Sequence, residues 1–589
     1  MNTLSPVEKF PDKRYGYLFL IGGGDEAYNS WSDRVYSKLV ETAHSGTFAV
    51  LTYKREDEEW MCRYLQWLGA KRAYSLRIGS QSLANNPEVY RQIVAADAIF
   101  IEGGHQRYYI EYWKGTLVEK AIREVYHRGG VVAGTSAGAM LLSEVTFVGL
   151  NGQRVPPEEV FRNPFLYYVS LNSDFLPLLG GTLIDTHFTE RGRLTRLIPL
   201  MARYRTEKGE NILGVGIDEK TALCVGPDLT GEVIGFGTIS IYSLSQDSEV
   251  RCERKKPTVL THIRMDQLLE GFKFSFLTRT VVHVPETATQ VVPQASRPPK
   301  PQNPMLLVGG HSLQDKGSNN GAIRAFLAQA GGDKARISIL ASRDCREMAV
   351  SYLTDFQTIK GARVTLILVA NEPESHRVGK AETQVQTQIL QNSTGIFLVG
   401  DNINEMVPLL KSNSPLAKAF QKRVNSGVAL AFGGNMAKIV GRKVIPEASS
   451  TSNSNGMESL AGFNFFKDSI VVPGLFENSE FSLREVWWIL AQRQGKLALF
   501  LDREGYVSVD LSGLLEFSGA SSAIVMDTYG LDYVLVPSVE NQASRAVALI
   551  NAKLHFLHGE YKFDIVSRQV RKSKIVPNEV NFQASSPNG

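Results

Sequence analysis

Ser136 lies in a Gly134-Thr-Ser-Ala-Gly138 frame at the end of the apolar run Val131-Val-Ala133. A strand-to-helix turn of this kind exposes a hydroxyl for nucleophilic attack, because small residues on both sides let the backbone bend sharply. The N–H of Ala137, at the head of the following helix, can face a developing oxyanion. A serine hydroxyl is a weak nucleophile by itself, so the chemistry also needs a base and a group that orients the base. His187 follows the strand-like stretch Leu179 to Ile184, at the C-terminal end where α/β sheets collect their active sites. Asp218 and Glu219 stand at a turn between two apolar runs, and either can hold an imidazole in its working tautomer; Glu219 is the better candidate. The chain order serine, histidine, acid differs from the serine, acid, histidine order of α/β-hydrolases. It differs also from chymotrypsin-like and subtilisin-like enzymes, in which serine comes last, so those three folds are disfavoured.

Other residues gather around this set. The run Ile99-Phe-Ile101 ends in Glu102 and the paired glycines 103 and 104. Backbone at either glycine can approach a ligand closely and offer a second oxyanion donor, with Gly104 preferred. Arg193 and Arg196 are three apart on a predicted helix with Arg191 just before it, a spacing that can present guanidinium forks to a substrate carboxylate. Leu18 to Asp25 contains three consecutive glycines but lacks the G-x-G-x-x-G spacing that lets a pyrophosphate approach. It reads as the first strand-to-helix turn, and no cofactor is expected.

Four motifs in this order, Gly134-Thr-Ser-Ala-Gly-Ala139, Asp185-Thr-His-Phe188, Arg191-Gly-Arg-Leu-Thr-Arg196 and Gly216-Ile-Asp-Glu219, resemble the cyanophycinases of the S51 serine peptidase family over roughly residues 15 to 285. The resemblance implies a flavodoxin-like α/β fold akin to class I glutamine amidotransferases. It also implies a Ser-His-Glu triad that hydrolyses cyanophycin, a poly-aspartate whose β-carboxyls carry arginine, to β-Asp-Arg. By the same resemblance Ser136 is the nucleophile, His187 the base and Glu219 its orienter, while Gln106, Asp185, Thr186, Arg191, Arg193 and Arg196 fall on substrate-pocket positions. Two departures bear on substrate choice. His105 stands where family members commonly carry an acidic residue, and Thr186 where many have glutamine.

The positions of these motifs require a scaffold of alternating strands and helices, and 589 residues with 43% hydrophobic content can supply more than one packed core. A net charge of +4 gives no basic field of the kind that marks nucleic-acid binders. No apolar run approaches the roughly 20 residues of a spanning helix, so no membrane is expected and a cytoplasmic location is predicted. Cys62, Cys224, Cys252 and Cys345 are scattered without metal-ligand spacing, and no metal is expected.

Six prolines between residues 284 and 304 forbid regular helix and mark a linker. Beyond it Met305-Leu-Leu-Val-Gly-Gly310 restarts the pattern of Leu18 to Gly23. The expected organisation is therefore a catalytic domain over 1–283, a linker over 284–304, a degenerate second copy over 305–575 and a disordered tail over 576–589. Both domains are expected to be flavodoxin-like, with mostly parallel sheets and helices on both faces. Aligning Met436 with Met140 puts Phe432 at the place of Ser136 and, in the same register, Phe476 at His187, Glu480 at Arg191, Ser482 at Arg193, Glu485 at Arg196 and Arg503 at Glu219. The second copy thus reads as a pseudoenzyme half, packed on the first as an intrachain pseudo-dimer. The leading function is a cyanophycinase-like exopeptidase. An S51 aspartyl dipeptidase and a non-catalytic cyanophycin-binding protein are the alternatives.

Overall fold

The computed structural model describes residues 15–54, 59–292, 299–310, 321–359, 363–369, 380–444, 461–475, 483–492, 496–519, 522–537 and 546–572. Tyr17–Ile21, Val131–Thr135, Ala98–Ile101, Thr47–Thr52 and Arg72–Arg77 lie side by side as parallel strands. Four antiparallel strands beginning with Thr221–Val225 extend the other edge to make a nine-stranded sheet. The first strand is apolar on both sides because both faces are covered. Leu18 and Leu20 enter one core with helices Pro87–Ala95 and Leu117–His127, while Phe19 and Ile21 enter another with Trp31–Thr42 and Trp60–Trp67.

The second half repeats this plan. Met305–Val308, Ala429–Gly433, Gly395–Val399, Arg336–Ser342 and Arg363–Val369 are parallel in the same spatial order, and four antiparallel strands again complete nine. Met305 and Leu307 face one core, Leu306 and Val308 the other. The fold class is α/β with helices on both faces of each sheet. In each nine-stranded sheet the five parallel strands make one side, out to its edge, and the four antiparallel strands make the other.

A third sheet of 13 strands is common to both halves. It is joined where Val259–Leu268 pairs antiparallel with Ala548–Leu557. Each of these strands carries one positive-φ residue at a bulge, His262 with φ 53° and Asn551 with φ 66°. The amide of each is received by a side chain from the other strand: His262 N–H donates to His555 Nδ1 at 3.1 Å, and Asn551 N–H donates to Asp266 Oδ1 at 2.9 Å. The join therefore has an approximate two-fold relation in its backbone, with His555 standing where its counterpart is Asp266. Buried side chains continue across it, from Leu183, Val215 and Ile241 to Trp487, Leu549 and Phe556.

Within the proline-rich stretch, Thr289–Gln290 pairs with Tyr533–Leu535 of the second half. Residues 293–298 and the expected tail lie outside the described residues. Among the described residues no helix is long and apolar enough to cross a membrane.

Candidate active site

The strand Val131–Thr135 ends directly at Ser136, whose backbone takes φ 53° and ψ −118° before the short helix Ala137–Met140 begins. Such a backbone strains any residue with a Cβ. Its neighbours must be small: a Cβ on Gly134 would lie 2.4 Å from the Gly138 carbonyl carbon, and one on Gly138 2.3 Å from the Ile101 oxygen. The turn after Ala98–Ile101 abuts the elbow, since a Cβ on Gly103 would stand 3.4 Å from that of Ser136. The neighbouring Gly104, with φ 155°, and Ala137 therefore flank the serine in the chain segments expected to supply oxyanion donors.

His187 closes the strand Leu179–Thr186 and also has positive φ, 49°. Its Nε2 is 2.8 Å from Ser136 Oγ, and its Nδ1 is 2.5 Å from Glu219 Oε1. With the ring proton on Nδ1, the imidazole donates to the carboxylate and its Nε2 accepts from the serine hydroxyl. Burial lowers the His187 pKa, with the bond to Glu219 acting against it and Arg191 and Arg193 acting with it, so the imidazole is neutral near pH 7. The glycine run after Tyr17–Ile21 makes room for this ring, because a Cβ on Gly23 would lie 2.4 Å from His187 Cε1.

The charged residues around His187 turn mostly inward. Asp185 is fully buried and occupies the forks expected to meet substrate. Arg196 donates from Nε to Asp185 Oδ2 at 2.9 Å and from Nη2 to Oδ1 at 2.7 Å, and Arg193 Nη1 reaches Oδ1 at 3.0 Å. Arg196 is itself buried, bonded to the Val155 carbonyl and stacked 4.7 Å over the Phe147 ring. Burial lowers the Arg193 pKa to about 10, with Asp185 opposing the shift, so it stays charged. These three residues form an internal ion cluster beneath the site instead of an open receptor. Thr186 is buried with them, its amide bonded to Asp185 and its carbonyl to Arg193. Arg191 is the exposed member: its side chain is 54% accessible, and Nη2 lies 3.3 Å from His187 Nδ1 and 3.7 Å from Glu219 Oε1. Gln106 opens the helix Gln106–Trp113 and donates to the Phe147 carbonyl at 3.0 Å.

Three further residues belong to the site. Glu190 Oε2 accepts from the Glu219 amide at 3.2 Å. Asp218, fully buried, accepts from the Thr189 amide and from both the amide and hydroxyl of Thr238. Arg484, from the second half, bonds to Glu190, to Asp218 Oδ2 at 3.3 Å and to Thr189 Oγ1 at 3.1 Å. Asp218 stands within a motif already noted and Glu190 between two of them, whereas nothing local to Arg484 marks its partners, 266 to 295 residues away in the chain.

The corresponding place in the second half lacks the reactive groups, though not at the residues aligned from sequence. Ile21 pairs with Thr135, and Val308 with Gly433, so Gly434 rather than Phe432 follows the strand as Ser136 does. Its φ is 57°. The Leu475 amide donates to the Leu501 carbonyl as Phe188 does to Ile217, which puts Gly474, φ 64°, rather than Phe476 at the place of His187. Gly22 and Gly309 meet the Asp218 and Asp502 carbonyls identically, each with a would-be Cβ 1.9 Å away, so Arg503 stands at Glu219 as expected. Glu485 lies in the helix Leu483–Ala491. Phe476, Glu480 and Ser482 lie outside the described residues.

A serine on a strained strand-to-helix turn, within hydrogen-bond reach of a partly buried histidine whose other nitrogen meets a glutamate, has the geometry that serine-nucleophile hydrolases use. The family model of peptidase family S51 matches residues 48–229, within the first half. The chain is 27% identical over 225 residues to a cyanophycinase of Trichormus variabilis, spanning 37% of this chain and 70% of that protein. It is 26% identical over 220 residues to a cyanophycinase of Synechococcus elongatus, spanning 37% of this chain and 64% of that one. A peptidase from an acI-B1 actinobacterium, of known crystal structure, is 20% identical with a TM-score of 0.31 over 44% of this chain and 97% of its own.

Proposed function

We propose that the first half is a cyanophycinase-like serine exopeptidase that hydrolyses cyanophycin to β-Asp-Arg dipeptides. The observation that carries the reading is the continuous hydrogen-bond path from Ser136 Oγ through His187 to Glu219. In this reading Ser136 Oγ attacks an aspartyl peptide carbonyl as its proton passes to His187 Nε2. The Gly104 and Ala137 amides hold the oxyanion. The C–N bond breaks as the imidazolium returns the proton to the leaving amine. Water then attacks the acyl-enzyme, gives a proton to His187, and releases the acid with Ser136 restored. Arg191, with Gln106 nearby on the helix that follows Gly104, takes substrate carboxylate or carbonyl groups.

The aspartyl dipeptidase reading gains from the buried Asp185–Arg196 pair, because the charges that favoured a polymer bearing both guanidinium and carboxylate groups are turned inward. Incubation of the purified full chain with cyanophycin and with small aspartyl dipeptides separates the two. Release of β-Asp-Arg from the polymer supports the first, and cleavage of dipeptides alone replaces it with the second. Binding of the polymer without cleavage of either substrate returns the chain to a non-catalytic role.

The second half takes the part of a partner subunit in an intrachain pseudo-dimer with one working site. The paired strands Val259–Leu268 and Ala548–Leu557, and the loss of serine, histidine and glutamate equivalents after residue 305, support this reading.

A further inference from the structure

The degenerate half reaches into the neighbourhood of the triad through one side chain. Arg484 is the second residue of the helix Leu483–Ala491, and its side chain is 22% accessible. It touches two separate segments of the first half. Thr189 and Glu190 follow His187, and Asp218 precedes Glu219. The guanidinium bonds to Thr189 Oγ1 and Glu190 Oε1 on the first segment and to Asp218 Oδ2 on the second. Glu190 in turn receives the Glu219 amide, and Asp218 receives the Thr189 amide. The segment bearing the base and the segment bearing its orienter are thus cross-tied at several points, with the Arg484 guanidinium bridging the two.

We infer that Arg484 is a positioning residue for the first half's site: it holds the two segments at the separation that keeps Glu219 on His187 Nδ1. The inference rests on the reading of Ser136, His187 and Glu219 as a triad. It gives the second half a defined task beyond covering apolar surface.

Charge makes this residue type necessary. Asp218 is fully buried, and burial followed by the nearby Asp218 raises the Glu190 pKa, a shift that Arg484 opposes. A cation set between two adjacent carboxylates offsets part of their mutual repulsion. Arginine supplies several fixed donors in one plane, enough to meet three acceptors at once, whereas lysine presents a single ammonium. The reciprocal contact shows that the arrangement is not a general feature of the join. Asp502, the counterpart of Asp218, receives Arg162 of the first half at 3.1 to 3.2 Å. That pair has Arg503 rather than a glutamate beside it and Gly474 at the place of His187, so it ties the halves together without serving a triad.

The test uses the full chain and the variants Arg484→Met, Arg484→Lys and Arg162→Met. The first readout needs no substrate: the low-field proton NMR signal of the His187 Nδ1–H···Glu219 bond, identified by its loss in His187→Gln. It should be weakened or lost in Arg484→Met, partly kept in Arg484→Lys and unchanged in Arg162→Met. The second readout is kinetic. Arg484→Met should lower kcat by about 10- to 100-fold with KM changed less than about threefold, as expected when catalytic groups are misplaced and substrate contacts kept. Arg162→Met should lower the melting temperature without either effect. If Arg484→Met does not fold, Arg484→Lys carries the comparison against Arg162→Met. An unchanged low-field signal in both Arg484 variants, or the same change in Arg162→Met, overturns the inference. A wild-type chain that shows the signal but cleaves neither substrate overturns the proposed function and leaves the positioning role standing.

Discussion

Ser136 and His187 both sit at positive φ, and the second half has glycine at both equivalent points, with φ of 57° and 64°. A side chain that must be presented from a strained turn costs stability, and glycine removes that cost once the side chain is no longer needed. This yields a paired prediction. Ser136→Ala and Ser136→Gly should each lower kcat by at least about 10⁴-fold. Ser136→Gly should nevertheless melt higher than Ser136→Ala, by an amount corresponding to about 1 kcal/mol. Equal melting temperatures would mean that the elbow is not strained by its Cβ. The base provides a second prediction. Burial holds His187 below its ordinary pKa of 6.5 despite the bond to Glu219. The competent form is neutral, so kcat/KM should rise with pH through a value below 6.5 and be level by pH 7. An acid limb centred above 6.5 would show instead that Glu219 outweighs desolvation.

The strand Leu179–Thr186 and the helix Leu194–Lys208 are joined through Asp185, Arg193 and Arg196. Seen in sequence, this arginine set reads as a substrate clamp. Folded, two of its three members serve the scaffold. Asp185→Ala would leave two buried guanidinium groups without their counter-charge, and breaking such a pair from one side costs about 3–5 kcal/mol. A marked fall in melting temperature is the expected result. An unchanged melting temperature with a raised KM would return Asp185 to the substrate pocket. The exposed Arg191 belongs to the opposite case, where truncation should change kinetics and leave the fold alone.

The join between the halves carries its own acid sensitivity. His555 is buried where the two-fold counterpart is Asp266, and burial first, then His262 and Lys553, lower its pKa to about 3. Its Nδ1 accepts the His262 amide, so protonation would set two N–H groups against each other. A group whose folded pKa is depressed below 6.5 binds more protons when unfolded. Stability is therefore complete above that pH and falls by up to about 1.4 kcal/mol for each unit below it, until the folded pKa is reached. His555→Asn should flatten the dependence of melting temperature on pH between 6.5 and 4; an unaltered slope would place the sensitivity elsewhere. Truncation tests the join more directly. A segment 1–285 would expose the ten-residue strand Val259–Leu268 as an open edge. It should aggregate or lose activity, and addition of segment 305–575 should restore it. Full activity of a monomeric first half would end the pseudo-dimer reading.

Local composition was enough to read the α/β plan, and it offered the elbow at Ser136, the order of the candidate triad and a second copy after the proline-rich stretch as expectations. Each depends on short-range signals: apolar runs that end in glycine turns, and small residues where backbones meet. The sequence register of the second copy slipped at Phe432 and Phe476 because the loops changed length, and only strand pairing brought Gly434 and Gly474 into place. The roles of Asp185, Arg193 and Arg196 were not legible either, since an arginine looks the same in sequence whether its fork meets a substrate or a buried aspartate. Arg484 was out of reach for the same reason at longer range. Its three partners lie in the other half of the chain, and a contact across that distance is decided by how two separately legible domains dock, through a shared sheet that neither half contains alone.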